Sequence, residues 1–73
     1  MKERYFSFTP ANRGITVRTE DNGVIRLSNG ERQCSFKKKT IRNVYDAVQF
    51  LGFGKDRQYR NAILDYLFIE EAN

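Results

Sequence analysis

The sequence predicts an α+β fold, in which a three- to four-stranded antiparallel β-meander is followed by two helices. Two Asn-Gly pairs, at positions 22–23 and 29–30, separate short stretches of alternating apolar and polar residues, a pattern typical of β-hairpins. After Thr40 the apolar residues recur at helical spacing instead. A chain of 73 residues has room for one hydrophobic core, so we expect residues 1–73 to form a single domain.

The first turn determines which residues of its two flanking strands lie opposite each other. A two-residue loop at Asn22-Gly23 would place the apolar residues of the two strands on opposite faces. A three-residue loop, residues 21–23, with Gly23 in the left-handed conformation, pairs Val17 with Leu27 and gives both strands the same apolar face. The sequence therefore predicts the three-residue loop.

The second turn is predicted to be a two-residue loop at positions 29–30, which pairs Ile25 with Cys34 and Leu27 with Arg32. One face of the sheet then collects the apolar residues Ile15, Val17, Ile25, Leu27, Cys34 and Phe36. The other face is polar and carries Thr16, Arg18, Glu20, Arg26, Ser28, Glu31, Gln33, Ser35 and Lys37. This alternation is expected of an antiparallel sheet with one face on a core and one in water.

A further strand is predicted near the N-terminus, over residues 4–9. It would place Phe6 and Phe8 on one side and Tyr5 on the other, before a break at residues 10–14. Both phenylalanines, like Phe36, are expected in the core. The pattern does not determine the place of this strand in the sheet.

The first helix is predicted to begin after a Thr40 cap and to end before Gly52. Its apolar stripe, expected to lie on the sheet, consists of Ile41, Val44, Tyr45, Val48 and Leu51. A second helix begins after Asp56, with a stripe of Tyr59, Ala62, Ile63, Tyr66 and Leu67. Leu64 and Phe68 widen that stripe, which fits packing between the sheet and the first helix or contact with a second subunit. Residues 66–69 also suit an extra strand.

Catalysis is not expected of this chain. General acid–base and nucleophilic catalysis rely mostly on His, on a Ser or Cys with a partnered base, or on paired carboxylates in a cleft. The chain has no His, and its adjacent acids, Glu20-Asp21 and Glu70-Glu71, fall at a hairpin tip and near the chain end. With one Cys and no His, it also lacks the ligand sets of structural zinc. We therefore expect no enzyme activity, metal or cofactor.

Cys34 is the one remaining nucleophile. In the predicted register it faces the core between Ile25 and the helices, where a free cysteine behaves as a small apolar group. A reactive cysteine needs partial exposure and nearby positive charge. The structural interpretation is therefore favoured.

Positive charge is concentrated in the first half of the chain. Up to Asn43 there are ten Lys or Arg against four acids, a balance of +6, whereas the remainder has three against five, a balance of −2. The candidate partner-binding residues of this basic region are Arg18 and Arg26, predicted to lie opposite each other on the exposed face, and Lys37, Lys38, Lys39 and Arg42. Like charges placed opposite each other are mildly unfavourable, and an anionic partner would relieve the repulsion. The same charges also fit a role in solubility alone.

A second candidate surface lies at the start of the last helix. Tyr and Arg dominate the hot spots of protein interfaces, and Arg57, Tyr59 and Arg60 follow a glycine-flanked Phe53. This patch would suit an acidic groove of another protein. The same sequence also fits Tyr59 in the core with the two arginines in solvent, and that interpretation is favoured.

In size, basic balance, absence of His and meander-then-helix layout, the chain resembles the small regulators that bacteriophages make to bind and redirect host RNA polymerase. The resemblance implies a non-enzymatic regulator that binds a larger protein complex. The chain is also similar in strand-then-helix order to small single-stranded-DNA binders, although it lacks the long C-terminal helix of that family. No functional residue carries over from either group.

Three hypotheses about function therefore stand. The first is a regulator of bacterial RNA polymerase. The alternative is a single-stranded nucleic-acid-binding protein that uses the basic sheet face, although few exposed aromatics remain there for base stacking. The third is a self-assembling or toxin-neutralising module, and the expected oligomeric state is monomer or homodimer. The N-terminus lacks an apolar signal run and no stretch is long enough to span a bilayer, so we expect a cytoplasmic protein without membrane contact.

Overall fold

A computed structural model describes residues 2–8 and 14–71 of the chain. Four antiparallel strands form one sheet in the order β1, β2, β3, β4, with bounds Lys2–Phe6, Ile15–Thr19, Ile25–Ser28 and Gln33–Phe36. Two helices follow, α1 (Ile41–Phe50) and α2 (Arg57–Asp65), and α2 continues directly into a π-helical segment, Tyr66–Glu70. The predicted α+β meander with two helices is confirmed.

The first hairpin has the predicted register. Val17 lies opposite Leu27, and the backbone N–H of Glu20 donates to the carbonyl oxygen of Val24 at 2.9 Å, which closes a three-residue loop. Gly23 has a φ of +89°, a left-handed conformation that Gly adopts at little cost. The apolar residues of β2 and β3 therefore share one face.

The predicted register of the second hairpin is wrong by two residues. Leu27 lies opposite Cys34, not Arg32, and Ile25 lies opposite Phe36, so residues 29–32 form a four-residue loop. The Asn29 side chain opens this loop, because its Oδ1 accepts hydrogen bonds from the N–H groups of residues 31 and 32 at 2.9 and 2.7 Å. A shift of two residues preserves the alternation of faces, so the predicted apolar face is still the inner one.

Strand β1 is the edge strand beside β2, with Phe6 opposite Ile15. It ends at Phe6, three residues before the predicted end, and Thr9 lies outside the described residues. Phe6 is buried as expected, but Phe8 is 44% exposed. Tyr5 lies on the outer face against Gly14, where a Cβ would lie 2.5 Å from the tyrosine ring.

Both predicted helix caps are confirmed. The Thr40 side chain accepts a hydrogen bond from the N–H of Asn43, and the Asp56 side chain accepts one from Gln58. Gly52, with a φ of +90°, follows the end of α1 as predicted. Residues 66–69 are helical, so the alternative of an extra strand there is wrong.

The inner face of the sheet and the two helices enclose one hydrophobic core, in which α1 lies beside β4 and α2 beside β1. Its buried residues are Phe6, Ile15, Val17, Ile25, Leu27, Val44, Ala47, Val48, Leu51, Phe53, Tyr59, Ile63, Tyr66 and Leu67. The predicted stripe of α1 is too wide, because Ile41 and Tyr45 are 53% and 40% exposed. The other face of the sheet carries no helix among the described residues.

Candidate functional site

The predicted patch at the start of α2 does not form, because two of its residues belong to the core. Tyr59 is fully buried and Phe53 is 7% exposed, with their ring centroids 4.3 Å apart. The Tyr59 hydroxyl also accepts a hydrogen bond from the backbone N–H of Phe8 at 3.1 Å. Placing Phe53 and Tyr59 on a binding surface is therefore wrong, and the core position considered for Tyr59 is confirmed.

The two arginines of that patch occupy different surroundings. Arg57 is exposed at the first turn of α2. Arg60 is half-buried, with its guanidinium carbon 4.5 Å from the centre of the Tyr45 ring. Its Nε is buried and has no hydrogen-bond partner among the residues that the structure describes. A guanidinium over an aromatic face is attractive, so Arg60 joins α2 to α1 and Arg57 alone remains in solvent.

Arg18 and Arg26 lie directly opposite each other on the outer face of the sheet, as predicted. Each arginine has a carboxylate nearby: Glu3 lies 3.5 Å from Arg18, and Glu20 lies 3.2 Å from Arg26. The two carboxylates offset much of the expected repulsion. A shallow depression of about 210 Å³ between the arginines is lined by Glu3, Thr16, Arg18, Arg26, Ser28 and Gln33.

The lysine cluster before α1 is only partly available to a partner. The Lys39 ammonium donates a hydrogen bond to the carbonyl oxygen of Leu67 at 2.8 Å and lies 5.7 Å from the centre of the Phe68 ring. This contact satisfies a carbonyl within the π-helical segment. Lys37, Lys38 and Arg42 are exposed and form the remaining positive group.

Four apolar residues that the sequence analysis did not assign to a surface are exposed on the helices. They are Ile41, Tyr45, Phe50 and Ile69, with exposed fractions of 53%, 40%, 49% and 61%. Phe50 was identifiable, because it lies outside the stripe of α1 that includes Val44 and Val48. Of these four residues, Phe50 borders a groove of the surface.

Phe50 stands at one end of a groove between β4 and α1, which we call the β4–α1 groove. The groove has a volume of about 320 Å³ and is lined by Cys34, Ser35, Phe36, Asn43, Asp46, Ala47 and Phe50. Arg32 holds the Phe50 end, since its guanidinium lies 5.4 Å from the ring centre and donates a hydrogen bond to the Phe50 carbonyl oxygen at 3.2 Å. Four of the seven lining side chains are apolar.

Cys34 lies in the wall of this groove and is half-buried, not enclosed in the core as expected. Its Sγ is 4.0 Å from the carbonyl oxygen of Ala47. Desolvation by the surrounding protein raises the pKa of the thiol above its ordinary value. The thiol therefore stays protonated near neutral pH and is a poor nucleophile there.

Metal-ligand clusters and membrane-spanning helices are both absent from the described residues. Among residues 2–8 and 14–71, no group of three or more His, Cys, Asp or Glu side chains is placed to hold a metal ion. No helix in the same ranges reaches the length and apolar character that a bilayer crossing requires.

Comparisons with known proteins add no family to this picture. No protein-family model matches the chain, and no curated protein or solved structure shows significant similarity to it.

Proposed function

We propose that this protein is a small non-enzymatic regulator that docks onto a larger protein complex. The observation that carries the proposal is the β4–α1 groove, a largely apolar cleft with the half-exposed Phe50 ring and the Arg32 guanidinium at one end. Grooves of this kind, largely apolar with a few polar groups, are typical of sites that bind side chains of a partner.

A non-enzymatic role is supported by the chemistry of the polar groups. The chain has no His, and the Cys34 thiol has a raised pKa. Several carboxylates form surface ion pairs, such as Glu70 with Arg4 at 2.6 Å, and Asp56 caps α2. These groups fit binding and packing better than proton transfer or nucleophilic attack.

Bacterial RNA polymerase is the first complex to test. This choice rests on the resemblance in size, charge and layout to the small phage regulators of that enzyme. A cytoplasmic location, where transcription takes place in bacteria, is part of the same proposal. Within it, the exposed bases Lys38 and Arg57 are the candidate contacts to acidic regions of the polymerase.

Nucleic-acid binding is the second candidate, and the observation that favours it is the opposed pair Arg18 and Arg26. It has less support, because both guanidinium groups already have carboxylates within 3.5 Å. Burial of Phe53 and Tyr59 also removes two of the aromatics that could have stacked on bases. Tyr5, 58% exposed, remains on that face.

An affinity pull-down from bacterial lysate, with and without nuclease, tests the proposal. We expect RNA polymerase subunits in the bound fraction under both conditions, and weaker capture by Phe50→Ser, Lys38→Glu and Arg57→Glu. Arg18→Gln is the matched control on the outer face and should capture as well as the native protein. If polymerase subunits are absent, the assignment to transcription is wrong. If all capture disappears with nuclease, nucleic-acid binding replaces it.

A further inference from the structure

Strand β4 is an edge of the sheet, and its backbone polar groups alternate in direction. The N–H of Asn29 donates to the carbonyl oxygen of Arg32 at 3.1 Å, so this pair is hydrogen-bonded across the hairpin. Bonded and non-bonded pairs alternate in an antiparallel ladder, which makes Leu27–Cys34 the next bonded pair. The N–H and C=O groups of residues 33 and 35 therefore point outward, away from β3.

The β4–α1 groove runs alongside this edge. Strand and helix lie antiparallel, because Arg32, just before β4, contacts Phe50 at the end of α1. Cys34 and Phe36 project to the helix side, where Ala47 forms the opposite wall. Along one side, the groove therefore has backbone groups of residues 33 and 35 that pair with no strand within residues 2–8 and 14–71. Inside it, Cys34 and Phe36 are apolar side chains at a two-residue spacing.

We propose that the β4–α1 groove binds an extended segment of a partner protein, which adds to β4 as a fifth strand. This inference rests on the proposed function, since it names how the partner is held. An added strand would pair its backbone with residues 33 and 35 and place alternate apolar side chains between Phe36 and Phe50. Asn43 and Asp46, also in the lining, offer oxygen acceptors to one polar side chain of the segment.

Charge at the two ends of the groove identifies the chemistry of the segment. Arg32 lies at one end, and Lys37 and Lys38 follow the last residue of β4 at the other. A segment with acidic residues flanking its apolar core would match both ends. The partner is therefore an extended acidic–apolar–acidic segment.

The same charges disfavour a second copy of this chain as the occupant. Antiparallel pairing of two β4 edges would bring Arg32 of one copy beside Lys37 of the other. Parallel pairing would place identical lysines side by side. Like charges directly opposite each other are destabilising in either arrangement.

The inference can be tested without the natural partner. A displayed library of random peptides of about 12 residues is selected for binding to the native protein, and the most enriched peptides are synthesised. We expect alternating apolar residues with acidic ends. Hydrogen exchange followed by NMR should show new protection of the Gln33 and Ser35 amides on binding, while the Cys34 and Phe36 amides are protected already.

Two variants separate strand addition from other ways of docking. Ser35→Pro removes an outward N–H that β3 does not use, a substitution that edge strands tolerate. It should weaken peptide binding about tenfold, the effect of losing one well-formed hydrogen bond. Phe50→Ser leaves the backbone of β4 unchanged and should weaken binding by a similar factor, and Ser35→Ala should bind normally. Circular dichroism confirms that each variant is folded.

The outcomes distinguish this inference from the proposed function. Enriched peptides that protect helix amides instead of Gln33 and Ser35, or that bind Ser35→Pro and Phe50→Ser normally, overturn strand addition. Strand addition is also overturned if no peptide is enriched more strongly by the native protein than by the Phe50→Ser variant. If Ser35→Pro and Phe50→Ser both still capture RNA polymerase, the protein is a regulator that binds the polymerase through a surface other than the groove. Peptide binding as expected, without polymerase capture, supports the groove and rejects the polymerase.

Discussion

The hydroxyl of Tyr59 in α2 accepts a hydrogen bond at 3.1 Å from the backbone N–H of Phe8, just after β1. This contact joins the last helix to the segment that leaves the first strand. Removing it leaves a part-buried N–H without this acceptor. We expect Tyr59→Phe to lower the free energy of unfolding by about 1 to 3 kcal/mol, the cost of an unsatisfied donor.

Urea denaturation measures the loss, and hydrogen exchange at the Phe8 amide locates it. Tyr45→Phe is the matched control, because Tyr45 is 40% exposed and keeps its ring beneath Arg60. It should change stability by less than about 0.5 kcal/mol. A Tyr59→Phe protein as stable as the native one, with an equally protected Phe8 amide, would contradict this account.

The loop between β3 and β4 depends on one side chain. Asn29 accepts two backbone hydrogen bonds and donates one to the carbonyl oxygen of Leu51 at 2.9 Å, which also ties the loop to the end of α1. Asn29→Ala should cost about 1 to 3 kcal/mol of unfolding free energy. Asn22→Ala, which removes one exposed bond to the Val24 N–H, should cost clearly less. Equal losses in urea titrations of the two variants would show that Asn29 has no special role.

Lys39 and Lys38 are adjacent in sequence but differ in their contacts. Both side chains are exposed, but the Lys39 ammonium binds the Leu67 carbonyl oxygen and lies over Phe68, whereas the Lys38 side chain makes no such contact within the described residues. Lys39→Ala should destabilise the fold by about 1 kcal/mol. Lys38→Ala should leave stability within about 0.5 kcal/mol of the native value. Thermal unfolding of the two variants measures these losses of stability. A loss for Lys38→Ala as large as that for Lys39→Ala would contradict the role given to the Lys39 contact.

The Cys34 thiol should respond to pH as a half-buried group. Its pKa is raised by desolvation, so the unfolded chain releases this proton at lower pH than the folded one. The contribution to stability is therefore complete below the ordinary thiol pKa and is lost as the pH rises past it. The free energy of unfolding should fall more steeply between about pH 8 and pH 10 for the native protein than for Cys34→Ala.

Alkylation with iodoacetamide provides an independent check on Cys34. The alkylation rate of the folded protein should begin to rise at a higher pH than that of the protein in urea. It should also be slower than the rate in urea at every pH. Identical rate profiles in the two states would mean that the thiol is as accessible and as acidic as a free cysteine. Its place in the wall of the groove would then be wrong.

The face assignment of the sheet was predictable from the sequence, because it depends only on the two-residue period of the strands. The length of the second loop was not. The side-chain oxygen of Asn29 competes with the ladder for backbone N–H groups, and this competition shifts the pairing by two residues. Helix starts were predictable because Thr40 and Asp56 cap them locally.

The candidate site was harder to predict, since it depends on contacts between distant elements. Phe53 lies between two glycines, a pattern that suggested an exposed loop. Its N–H, however, donates a hydrogen bond to the carbonyl oxygen of Val48, and the resulting turn places the Phe53 ring against Tyr59. The groove beside β4 requires the edge position of that strand and the location of α1. Neither follows from local pattern.

Binding of purified bacterial RNA polymerase over a series of salt concentrations tests the central proposal most directly. A groove-mediated protein contact predicts an affinity that falls less steeply with salt than phosphate binding would, falls at least about tenfold for Phe50→Ser, and is unaffected by Arg18→Gln. The absence of binding would contradict the proposal. So would binding that requires nucleic acid, in which log affinity falls linearly with log salt and depends on Arg18 and Arg26. Binding that depends on nucleic acid would indicate that the functional surface is the outer face of the sheet, with Arg18 and Arg26.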